Sequence, residues 1–184
     1  MKRAIRPSSE EAIVESAVSL LSRNPVATMS EIAIKAGVGR ATLHRHFSSR
    51  EDLVHRIALR SIEETNAAVV QQLVPDSPAG ERLLAMFTAV IPLGDRYHFL
   101  SRESNQQEDV RQQYKAQLEW LASLVDDLQQ EGVLDNGISA SWIVAQIDQL
   151  IWTAWCEVSA GRLAAQDAPQ LAVRTLVNGL GDRP

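Results

Sequence analysis

The chain has 184 residues, 45% of them hydrophobic and 22% charged, with a net charge of −5 at pH 7. That is the composition of an ordinary globular protein of one or two small domains. No window approaches eighteen consecutive apolar residues, which excludes a membrane-spanning helix, and the single cysteine, Cys156, excludes an internal disulfide.

The basic N-terminus, MKRAIRPSSEEAI, lacks the apolar core of a secretory signal, so the expected location is the reducing cytoplasm, with no membrane partner and no cofactor. Helical signals run the length of the chain, and no segment alternates apolar and polar residues as a half-buried strand would. The expected fold class is therefore all-α.

A first helix is predicted over 9–22, with Ala12, Ile13, Ala17, Leu20 and Leu21 on one face, Ser8 or Ser9 as its cap, and Asn24-Pro25 as its stop. Thr28-x-x-Glu31 is a capping box that opens a second helix, on which Ile32, Ala33 and Ala36 form an apolar stripe. Gly37 ends it, since glycine enters the left-handed conformation of a C-cap without steric cost. Val38-Gly39 makes a turn, and residues 40–47 restart as a third helix with Leu43 and Phe47 inward. Ser48-x-x-Glu51 reads as another capping box, starting a long helix over 50–73 with Leu53, Ile57 and Ile62 on its inner face.

Pro75 to Pro78 is the clearest break. Beyond it, an apolar helix over 80–91 is stopped by Pro92 and Gly94, and 95–105 reads as a short helix or a loop. Residues 106–130 keep helical periodicity through Val110, Tyr114, Leu118, Leu121, Val125 and Leu128. Residues 138–161 form the most apolar helix, and 170–180 the last. Two domains follow: a three-helix head, 1–55, and a helical body, 56–184.

Two helices joined by a short turn containing glycine are a helix-turn-helix, an arrangement that places side chains in a DNA groove. The acidic net charge conceals a partition that agrees with this. Residues 1–60 hold ten Lys or Arg against six Asp or Glu, while the rest of the chain is strongly acidic. Arg40, Ala41, Thr42, His44, Arg45 and His46 on the second helix of the motif are the candidates for DNA contact. Arg40 is suited to guanine O6 and N7. Thr28, Lys35 and Arg50 are candidate phosphate anchors. His44, His46 and His55 do not make a metal site, since the first two lie two apart on a helix and diverge.

Thr28, Ile32-Ala33, Ala36-Gly37-Val38, Thr42, Arg45-His46-Phe47 and Arg50-Glu51-Asp52-Leu53 together resemble the tetracycline-repressor (TetR) type of bacterial transcription regulator. The likeness covers roughly residues 9–60. His44 stands where that family usually has Tyr, Gly39 where it often has Ser, and Arg50 where it often has Lys. The resemblance implies a homodimer on a palindromic double-stranded operator, and a body that encloses a pocket for a small-molecule effector.

In the body, Trp142, Ile143, Ile147, Leu150, Ile151, Trp152, Trp155 and Val158 make the helix over 138–161 apolar nearly all round, so both sides need cover. Leu171, Val173, Leu176, Val177 and Leu180 give the last helix a similar surplus, and these two helices are the expected dimer face. Candidate pocket residues are Met86, Phe87, Tyr97, His98, Phe99, Trp120, Trp142, Gln146, Asp148, Gln149, Trp152 and Cys156. Asp148 among tryptophans would suit a cationic effector, although it could equally pair with an Arg or cap a dimer contact. Two other readings stay open: an architectural DNA binder without an effector, and a helical enzyme using His98, Cys156 or Asp148.

Overall fold

The computed structural model describes residues 8–103 and 107–181, and all regular elements among them are helical. Lys2, Arg3 and Arg6, residues 104–105 of the ambiguous stretch, and the Leu180 side chain lie outside the described residues. The head is α1 (Ser9–Leu21), α2 (Met29–Ala36) and α3 (Arg40–His46). The body follows as α4 (Arg50–Gln72), α5 (Ala79–Val90), α6 (Gly94–Glu103), α7 (Glu108–Gln130), α8 (Ala140–Ser159) and α9 (Ala168–Leu180).

Capping chemistry sets the head's boundaries. Ser8 accepts the Glu11 N–H at 3.2 Å while the Glu11 carboxylate accepts the Ser8 N–H at 2.7 Å. Thr28 and Glu31 repeat the exchange at 3.3 and 2.7 Å. Gly37 ends α2 with φ 67°, the left-handed conformation expected of it. At α4 the expectation needs correcting by one residue. The cap is Ser49, whose hydroxyl accepts the Asp52 N–H at 3.1 Å, while Asp52 accepts the Ser48 N–H at 2.9 Å. The reciprocal pair is therefore Ser48/Ser49 with Asp52 rather than Ser48 with Glu51.

α1 buries Ile13, Val14, Ala17, Val18 and Leu21, so Val14 and Val18 take the places expected for Ala12 and Leu20, which are half-buried. These residues pack with Ile32, Leu43, Phe47, Leu53, Ile57 and Ile62 into one core, and Phe99, Leu100 and Val110 of the body enter it. Ala36 is only half-buried at its edge. A second core joins α5, α7, α8 and α9 around Leu83, Phe87, Leu124, Leu128, Ile147 and Ile151.

The stretch from 95 resolves as helix. A 3-10 turn, Ile91–Leu93, runs directly into α6, so Pro92 redirects the chain without breaking it. Gly94 is required there for space, because a Cβ would lie 2.4 Å from Trp155 Cβ. This close approach seats α6 on α8. α8 buries Ile143, Ile147, Ile151 and Ala154 against the core, while Trp142 is 56% exposed and Gln149 faces solvent.

Candidate nucleic-acid interface

α3 is built as a two-faced element. Leu43 and Phe47, one helical turn apart, are 1% and 2% exposed and fix the helix to the core. Arg40, Ala41, His44 and Arg45 are exposed on the other side, and no acidic residue lies between Arg40 and His46. Thr42 is half-buried beside them. His46 is half-buried as well; its Nε2 is enclosed without a partner, and its ring lies 6.4 Å from that of Phe47.

The three residues expected to anchor phosphates all have intramolecular partners. Thr28 is engaged in its capping box, where its hydroxyl also donates to Glu31 at 2.8 Å. Lys35 Nζ donates to Ser19 Oγ at 2.9 Å, tying α2 to α1. Arg50 Nη2 donates to the Pro25 carbonyl at 2.5 Å, holding the α1–α2 loop against the start of α4.

Behind the head lies a half-open cavity of about 350 Å³ between α4, α5, α6 and α7. Thr65, Asn66, Val69, Val70 and Leu73 of α4 face Ala116, Gln117, Trp120 and Leu121 of α7, with Met86, Val90 and Tyr97 completing the wall. Three of these, Met86, Tyr97 and Trp120, were expected pocket residues. The α4 contribution was missed, although its signal is present: residues 65–74, TNAAVVQQLV, carry no charge and more apolar side chains than one buried face needs.

The structure puts the other expected pocket residues elsewhere. Phe87 is in the body core and Phe99 in the head core. His98 stacks on Trp152 with centroids 3.9 Å apart, Trp152 lies 5.0 Å from Trp155, and the Arg23 guanidinium sits 5.1 Å over Trp155. Trp142 and Gln149 are exposed, and Gln146 and Cys156 are half-buried.

Polar groups are few. Gln117 Nε2 donates to Thr65 Oγ1 at 2.8 Å and to Asn66 Oδ1 at 2.7 Å, giving the cavity one polar strip. Burial pushes the Tyr97 hydroxyl pKa upward and that of Tyr114 up to about 12, and the charge of Asp148 reinforces both shifts. Burial also raises the pKa of the Asp148 carboxyl, against the opposing hydrogen bond from Gln149. Among the described residues, no Lys or Arg lines the cavity.

The family model for bacterial regulatory proteins of the tetR family matches residues 13–57. A stretch of 89 residues is 32% identical to the HTH-type transcriptional repressor LfrR of Mycolicibacterium smegmatis, spanning 48% of this chain and 47% of that relative. Residues 13–57 therefore carry the domain of the tetR family.

Two solved structures extend the likeness from the head to the whole fold. The crystal structure of LfrR from Mycobacterium smegmatis in complex with proflavine aligns with a TM-score of 0.68 at 20% identity, covering 96% of this chain and 99% of that one. The ketosteroid transcriptional regulator KstR2 of Mycobacterium tuberculosis aligns with a TM-score of 0.71 at 18% identity, covering 97% of each chain. The matched residues 13–57 run from α1 into α4, so they take in the whole of α3. Among the described residues, no helix is long and apolar enough to cross a membrane.

Proposed function

We propose that the chain is a cytoplasmic, homodimeric transcription repressor, released from a palindromic operator by a small molecule that enters the cavity between α4 and α7. Residues 1–55 act as the reading head and 56–184 as the sensing and dimerising body. The observation that carries this reading is the face of α3, where Arg40, His44 and Arg45 project from a helix whose opposite side is locked by Leu43 and Phe47. A rigidly seated helix with exposed donors is what direct readout of a major groove requires.

In this reading Arg40 contacts a base edge, with Ala41 and Thr42 beside it. His44, Arg45 and His46, with Thr28, Lys35 and Arg50, position the head on phosphates. The last three also brace the head internally. Trp142 and Leu171, 56% and 37% exposed on α8 and α9, support a dimer through those two helices. An effector role for the cavity is supported by its apolar walls and its single polar strip, and by the proflavine bound to LfrR.

The deciding experiment is selection of genomic DNA fragments by the purified full chain, followed by sequencing. An inverted repeat with half-sites one helical turn apart, or a multiple of it, is the expected result. Recovered fragments with no shared motif would remove the reading.

A further inference from the structure

Two pairs of consecutive residues join the cavity to the head. On α4, Thr65 lines the cavity while its neighbour Glu64 belongs to an ion cluster. On α6, Tyr97 lines the cavity while its neighbour Arg96 belongs to the same cluster. Arg96 is the cluster's centre, with a side chain only 14% exposed. Its Nη2 donates to both oxygens of Glu15 on α1, at 2.7 and 2.6 Å, and its Nε donates to Glu64 on α4. Asp95 lies 3.2 Å from Nη1. Arg60 closes the ring, donating to Glu64 at 2.7 Å and reaching Glu15 at 3.5 Å.

One guanidinium thus holds three helices of three different kinds. α1 belongs to the head, α4 to both domains, and α6 is seated on α8 at Gly94. A largely buried guanidinium is tolerated while its carboxylates face it, and losing Glu15 or Glu64 leaves that charge less well compensated, so partial disengagement is disfavoured. Nothing about α3 needs to change for this contact to reorient the head.

We propose that Arg96 is a positioning residue that makes the head's orientation depend on whether the cavity is filled. An occupant that displaces Thr65 or Tyr97 shifts Glu64 or Arg96 with it, and α1 follows through Glu15. This rests on the regulator reading, and the test separates the two.

Ala116→Trp on α7 fills the cavity from a solvent-exposed position and stands in for an occupant. Affinity for a DNA fragment recovered by the genomic selection is measured for the full-length wild type, Ala116→Trp, Arg96→Gln and the double variant. Glu15→Gln, alone and with Ala116→Trp, serves as a second and structurally milder break of the fork, and thermal melting confirms folding throughout. Ala116→Trp should weaken DNA binding about tenfold in the wild-type background and by no more than about twofold when the fork is broken. A merely structural Arg96 would lower affinity in both backgrounds and leave that ratio unchanged. An equal loss in every background overturns the proposal, as does an Ala116→Trp variant that binds DNA like the wild type. A wild-type chain that selects no DNA motif would instead remove the regulator reading itself.

Discussion

In the head the helix starts are capped by neighbours three positions away, as Thr28 pairs with Glu31. In the body the start of α5 is capped from across the fold, where Glu131 accepts the N–H of Ala79, 52 positions away, and Gln117 meets Thr65 across the same separation. The difference teaches why one region can be read from a single sequence and the other cannot. A capping box or a C-cap glycine is a complete physical device within four residues. A cavity is a property of four helices at once, and no one of them announces it.

The contrast does not make the two regions independent, because Phe99, Leu100 and Val110 pack inside the head's core. Phe47→Ala is the severest way to examine that. Truncating this fully enclosed ring should cost about 3–5 kcal/mol. Unfolding should remain a single transition shifted to lower temperature, since the shared core transmits the loss. Calorimetry showing two transitions, of which only one moves, would mean that head and body fold separately.

Arg40→Ala sharpens the comparison from the opposite side, because Arg40 is exposed on the face of α3 opposite the core. It should leave melting unchanged and weaken binding to the selected site by about 1–3 kcal/mol, relaxing preference at one base position. Uniform loss across all sequences in a competition assay would reduce Arg40 to a phosphate contact.

The residues that were legible share one trait. Thr28, Gly37, Leu43 and Phe47 act through helix periodicity or capping geometry, and the structure places each where those rules put it. Met86, Tyr97 and Trp120, candidates because apolar and aromatic side chains are common in pocket walls, line the cavity. Residue type, however, did not separate them from Phe87 and Phe99, which the cores absorb. The α4 wall was missed for a different reason. Val69, Val70 and Leu73 continue the helical stripe of Leu53, Ile57 and Ile62, and periodicity marks a face that needs cover without telling a packed core from a cavity wall. The role of Arg96 carries no sequence signal, since the partners that tie it to α1 and α4 lie 81 and 32 positions away.

A smaller effect distinguishes two adjacent serines. Ser49→Ala removes the hydroxyl that accepts the Asp52 N–H and should cost about 1 kcal/mol by chemical denaturation. Ser48→Ala should cost less, because Asp52 still accepts the Ser48 backbone N–H. The reverse order would restore Ser48 as the cap.

The smallest expected effect is the one in which head and body should respond with opposite sign. The backbone N–H of Thr28, followed by its hydroxyl, holds the Glu31 carboxyl below the usual range. A carboxylate depressed in the folded state contributes stability above its unfolded pKa and loses it as pH falls through the folded one. Glu31→Gln should therefore be less stable than the wild type at neutral pH, and the gap should close below about pH 4. Asp148 runs the other way. Burial raises its pKa, so the folded chain resists its ionisation, and that penalty is present at neutral pH and relieved as pH falls through the raised value. Asp148→Asn should accordingly be more stable than the wild type at pH 7, with an advantage that shrinks on acidification. Denaturant titrations at a series of pH values, each variant against the wild type, isolate one carboxyl at a time. A destabilised Asp148→Asn at neutral pH would show that the carboxylate is compensated by a cationic partner, and the body would then join the head in losing stability to acid.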